Sequence, residues 1–120
     1  MIAIQTDRPD QVIEVTASGE VTAEDYESVL IPAVEDRLRR HEKIRILYHL
    51  TKDFSGFSAG ALWDDTKVGL GHLRAWERIA LVTDVDWIGN SAKVFGFLMP
   101  SEVRVFPTER LDEARDWIVS

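Results

Sequence analysis

The chain reads as an α/β domain, a mostly parallel five-stranded sheet carrying about four helices, and two observations predict it. Short β-branched runs alternate with segments of helical periodicity from residue 20 onward, the pattern of right-handed crossovers joining parallel strands. The 120 residues, 45% apolar and 29% charged, suit one soluble domain, 1–120, with a real core.

Two strand patterns open the chain, Ile2 to Gln5 and Gln11 to Ala17, and the turn-rich Asp7-Arg8-Pro9-Asp10 between them predicts a hairpin. Thr22 then stands before a helical run from Ala23 to Arg40, with Tyr26, Leu30, Ala33, Val34 and Leu38 on one face and Asp25 placed for a capping box. Pro32 lies inside that run. It lacks an N–H and its ring would strike the Ser28 carbonyl, so a kink or break is expected near Ile31.

Ile44 to Leu50 is apolar and β-branched enough for a central strand. Thr51 through Phe57 reads as a Gly- and Ser-punctuated loop, leading to a helix from about Ser58 to Trp76 with Leu62, Trp63, Thr66, Leu70 and Leu73 inward. Gly69 and Gly71 weaken that helix, by about 1 kcal/mol each relative to alanine, and mark it for close packing or movement. Arg78 to Thr83 is the next strand. Asp84 or Asp86 is placed to cap a helix from Trp87 to Met99, which Pro100 ends. Glu102 to Phe106 forms the last strand, and Thr108 caps a final helix with Leu111, Ala114, Trp117 and Ile118 inward.

Charge and composition exclude several functions. A net charge of -7 argues against nucleic acid, whose binding needs a basic stripe. Absence of cysteine removes disulfides, thiolate metal sites and a thiol nucleophile, and fits a cytoplasmic setting. Met1 to Asp7 does not resemble a secretory leader, and no apolar run is long enough to span a bilayer. His41, His49 and His72 lack ligand spacing, Asp64-Asp65 diverge by about 100° on a helix, and Asp84 and Asp86 sit as caps. No catalytic residue, cofactor or metal is therefore expected.

The order of elements, together with Ala17-Ser18-Gly19-Glu20-Val21-Thr22-Ala23-Glu24-Asp25-Tyr26, Phe54-Ser55-Gly56-Phe57, Ala61-Leu62-Trp63-Asp64-Asp65, Trp76-Glu77-Arg78-Ile79-Ala80, Val82-Thr83-Asp84 and Phe95-Gly96-Phe97, resembles the SpoIIAA-like family of small bacterial proteins. The resemblance implies a STAS-like fold without established enzyme activity. That fold is related in shape to anti-sigma factor antagonists and to the lipid-carrying Sec14 or CRAL-TRIO domains.

Two functional expectations follow. Trp87 to Met99 carries one apolar stripe of Ile88, Ala92, Phe95 and Met99 and another of Trp87, Val94 and Leu98, so one can meet the sheet while the second needs another cover. A homodimer with a ligand cleft is expected, lined by Phe57, Leu62, Trp63, Leu70, Trp87, Phe95 and Leu98 and suited to an apolar or lipid-like small molecule. The basic run of Arg37, Arg39, Arg40, His41, Lys43 and Arg45 adds peripheral attraction to anionic lipid as a weaker corollary. The alternative is a protein-interaction switch. Anti-sigma factor antagonists carry Asp-Ser-Ser-Gly after the corresponding strand, with the serine before the glycine phosphorylated, and Asp53-Phe54-Ser55-Gly56 puts Ser55 there, with Phe54 in place of the first serine. A protein partner would then read the Ser55 loop.

Overall fold

Five strands lie side by side in chain order, β1 (Ile2–Ile4), β2 (Val12–Val21), β3 (Ile44–Phe57), β4 (Trp76–Val82) and β5 (Glu102–Phe106). This computed structural model describes residues 1–5, 7–71, 74–98 and 101–120, with side chains outside 66, 68–70 and 94–98. The β1–β2 pair is antiparallel, as the hairpin reading requires, and every later pair is parallel.

Three parallel crossovers step in the same direction across the sheet, so their helices collect on one face. The first is α1 (Ala23–Asp25), a π-helical turn (Tyr26–Leu30) and α2 (Ile31–Leu38) in one continuous stretch. The next two are α3 (Ala59–Gly71) and α4 (Asp86–Leu98). Beneath them Ile13, Val15, Ala17, Tyr26, Leu30, Val34, Ile46, Tyr48, Leu50 and Ala61 form the main core. Among the described residues α5 (Leu111–Val119), entered through a 3-10 turn (Thr108–Arg110), is the helix that covers the other face, where Val12, Leu47, Ala80, Val82, Ala114 and Ile118 pack.

Local chemistry accounts for most boundaries. Thr22 caps α1 with the full capping box, its Oγ1 accepting from the Asp25 amide while its own amide donates to the Asp25 carboxylate at 2.9 Å. Pro32 breaks the helix as its chemistry demands: the Ile31 amide donates to the Tyr26 carbonyl, one residue further back than in an α-helix. Glu102–Phe106 is a strand as read, and Ala114 and Ile118 point inward from α5.

The largest departure concerns 51–57, which is strand rather than loop. Gly19, at φ 59, sits at two register shifts in β2, and beyond it Gly19, Glu20 and Val21 pair with Phe54, Gly56 and Phe57. Local Gly and Ser content argued for a loop, but the far end of β2 supplies a ladder partner. Trp76, expected as the end of the second helix, instead opens β4 opposite Ile44 and is buried. Asp84 does not cap α4 either: its carboxylate accepts from the Thr108 amide and hydroxyl, joining the β4–α4 loop to the turn before α5. His72, Leu73, Met99 and Pro100, which the sequence reading placed in or after these helices, lie outside the described residues.

On the α5 face one buried charge is fully partnered. Glu14, 1% exposed, accepts from Arg8 at 2.9 Å and from the Arg115 guanidinium at 2.9 Å, which ties β2 to the β1–β2 turn and to α5. Burial alone would push its carboxyl up, but the hydrogen bonds and charges of the two arginines hold it below the ordinary glutamate range. A depressed native pKa contributes stability above the unfolded value that is lost as pH falls through the native one. Glu14→Gln should therefore destabilise the domain by about 1–3 kcal/mol at pH 7. Urea unfolding should show that difference shrinking below about pH 4, where the wild-type carboxylate takes up its proton.

Candidate functional site

Parallel α/β sheets place function where strands end and helices begin. Here that edge includes the junction of β3 with α3, where Ser58 caps α3 by accepting from the Ala61 amide at 3.1 Å. Phe54 and Phe57, from the end of β3, stack edge-on with centroids 5.0 Å apart, and Phe57 continues edge-on to Tyr48 at 6.4 Å. The aromatic cluster leads to a polar one. Tyr48 and Tyr26 share a hydroxyl contact of 2.9 Å, and the Tyr26 hydroxyl donates to Asp65 Oδ1 on α3 at 2.7 Å.

Proton counting sets the direction of this chain. Each phenol has one hydrogen, and Tyr26 gives its own to Asp65, so Tyr48 is the donor between the two rings. Burial, then the nearby Asp65 charge, pushes the Tyr26 hydroxyl far above its usual value, and burial does the same for Tyr48. Both remain protonated at any physiological pH. The Asp65 carboxyl is also raised, by the protein atoms crowding it, although the Tyr26 hydrogen bond pulls it back and the residue itself opens to solvent.

Helix α3 is inside out relative to its sequence pattern. Leu62 and Trp63, expected inward, are 47% and 65% exposed, whereas Ala61 and Asp64 are buried beneath the helix. The backbone explains the turn: a methyl on Gly60 would stand 2.9 Å from the Ala23 Cβ, so α3 lies close against α1 on its glycine edge. That contact, with Ser58 at the cap and Tyr26 receiving Asp65, leaves Leu62 and Trp63 on the outer side. Asp64 meets the Lys67 ammonium at 3.4 Å through Oδ1, while its buried Oδ2 has no hydrogen-bond partner among the described residues.

The remaining candidates divide as follows. Trp87 stands 61% exposed on α4, while Ile88 packs toward the core on the same sheet face as α3. Phe57 is half-buried in the aromatic cluster. Leu70, Phe95 and Leu98 are carried by α3 and α4 with side chains outside those described. Gly71 ends α3 with open space where a side chain would be. Ser55 is exposed on β3, not on a loop. His49 is half-buried on the α5 face, its pKa lowered first by burial and then by Arg115. The basic run is largely occupied, with Arg40 and His41 on Asp10, Arg37 and Arg40 on Asp36, and Arg45 on Glu77.

Sequence reasoning missed the Tyr48–Tyr26–Asp65 chain. Tyr26 had been read as one more apolar side chain, and only the approach of the three elements gives its hydroxyl a function. Tyrosine rather than phenylalanine on the buried face of two elements was the available signal, since a buried hydroxyl needs a partner.

The SpoIIAA-like family model matches residues 12–119. Among solved structures, the chain is similar to an uncharacterized protein with a SpoIIAA-like fold from Shewanella loihica, at 30% identity and a TM-score of 0.77, over 98% of this chain and 93% of that one. Among curated proteins none matches.

If Tyr26 anchors α3 through Asp65, removing the acceptor should loosen that helix selectively. Asp65→Ala is expected to speed amide hydrogen exchange across α3 roughly tenfold, the equivalent of one hydrogen bond, with α5 amides unchanged. Asp65→Asn, which keeps the acceptor, should exchange like the wild type.

Proposed function

The chain belongs to the SpoIIAA-like family, and from that premise we propose that it acts by non-covalent binding, sequestering an apolar or lipid-like small molecule between α3 and α4. SpoIIAA-like and STAS folds are generally those of non-catalytic domains. The observation that carries the ligand reading is the exposure of Trp63 and Trp87, on neighbouring helices over one sheet face, when the sheet beneath is already filled. Exposed tryptophans contribute little to the fold of a lone domain and much to binding an apolar surface.

Several features agree with capture beneath a movable helix. Among the described side chains of α3, Ala61 and Asp64 are buried, and lifting the helix would solvate the Asp64 carboxylate. The aromatic cluster of Phe54, Phe57 and Tyr48 lies at its base, ready to line what opens. The working unit on this reading is a homodimer, with contact at a membrane surface at most peripheral. No helix among the described residues is long and apolar enough to cross a membrane.

A second reading, a phosphorylation-controlled interaction switch, has one observation in its favour: the Ser55 side chain lies on an exposed residue at the β3 edge of the site. Its partner would be another protein.

Native mass spectrometry of the purified protein, followed by denaturing release, reads subunit number and any bound molecule together. A dimer carrying an apolar adduct is the expected result. Trp63→Ala and Trp87→Ala should each weaken uptake of the neutral dye N-phenyl-1-naphthylamine roughly tenfold, the loss of one aromatic contact. Because both side chains are exposed, each change should alter stability by less than about 0.5 kcal/mol. Unchanged uptake in both variants would remove the ligand reading. A phosphate adduct lost in Ser55→Ala would establish the other.

A further inference from the structure

Under α3 the Tyr48–Tyr26–Asp65 chain can accept hydrogen bonds but has no hydrogen left to offer. The Tyr26 hydrogen goes to Asp65, and the Tyr48 hydrogen goes to Tyr26. Asp64 is an acceptor too. Its side chain is 5% exposed, Lys67 approaches Oδ1 from the surface, and Oδ2 lies buried without a partner among the described residues. A buried carboxylate oxygen left unpaired is costly, and a group that arrives from outside would satisfy Oδ2. A carboxylate only accepts, and whatever satisfies it must bring hydrogen.

We propose that the bound molecule is an amphiphile whose head is a hydrogen-bond donor, a hydroxyl or a primary ammonium, received by Asp64 Oδ2. This rests on the apolar-ligand reading above and adds the head-group chemistry to it. The apolar tail lies along Phe57, Trp63 and Trp87, and the head passes beneath α3 as the Tyr26–Asp65 contact opens. Fatty acids and phosphate-headed lipids are disfavoured, since their heads would set a further negative acceptor against Asp64 and Asp65. Lys67 is the cation near the site, but it is already on Asp64 and stands largely in solvent.

The probes are 1-dodecanol, dodecyl methyl ether, dodecylamine and dodecanoate, titrated against the full chain with tryptophan emission as the readout. Because a net charge of -7 favours an amine over an acid anywhere on the surface, the neutral alcohol and ether make the deciding pair. The alcohol should bind roughly tenfold more tightly than the ether, the difference one donor makes. The amine should bind at least as tightly as the alcohol, and dodecanoate most weakly. Asp64→Ala should erase the alcohol's advantage while leaving ether binding intact, and Asp64→Asn, which keeps an acceptor, should retain it. Equal binding of alcohol and ether, or an advantage that survives Asp64→Ala, overturns the inference and leaves the apolar-ligand reading standing. Tightest binding of dodecanoate also overturns it, placing the head on Lys67. If none of the four binds, the apolar-ligand reading fails and the inference falls with it.

Discussion

Three right-handed crossovers run in one direction across the sheet, and this handedness governs everything above it. Because each step from β2 to β5 moves to the next neighbour, α2, α3 and α4 are crowded onto one face, while α5 lies on the other. The crowded face is served by Ile13, Val15, Ile46, Tyr48 and Leu50, and β3 contributes to both sides, with Leu47 turned toward α5. The partition is unequal in kind as well as number. The α5 face adds ion pairs to its apolar packing, with Glu14 between two arginines and Arg45 reaching Glu77, whereas the helix-rich face adds the Tyr48–Tyr26–Asp65 hydroxyl chain to its own.

Helix α3 shows what that crowding does to a single element. Its close approach to α1 at Gly60 and its attachment to Tyr26 through Asp65 fix its rotation, and the rotation places the Asp64 carboxylate beneath and Trp63 above. For an isolated amphipathic helix this arrangement would be the wrong way round. On the proposed reading the outer side chains and the inner oxygen of Asp64 serve one molecule, the former supplying apolar contact and the latter an acceptor. The SpoIIAA-like fold is generally that of non-catalytic domains.

Much of the fold was legible from residues alone. Thr22 and Asp25 announced the first helix start, and Pro32 announced its break, which the backbone resolves as a π-helical turn. Glu102 to Phe106 was readable because β-branched alternation in a short run has few competing explanations. Misreadings arose where a distant strand decided the outcome. Residues 51–57 carry serine and glycine, which favour turns locally, yet the bulged end of β2 offers backbone partners that hold them extended. Likewise the helix expected to run to Trp76 gives way there to the ladder that begins opposite Ile44.

The candidate site divides along the same line. That α3 and α4 are rich in aromatic and apolar residues, and that the chain is acidic, unlike a nucleic-acid binder, was determined by composition and periodicity alone. Which face of α3 is buried was not, because helical spacing defines a stripe but not its azimuth about the helix axis. That angle is set by contacts from other elements, here Ala23 against Gly60 and Tyr26 against Asp65. The same tertiary approach joined Tyr48, Tyr26 and Asp65, residues 17 to 39 positions apart, since hydrogen bonds depend on distance in space and a sequence records only distance along the chain.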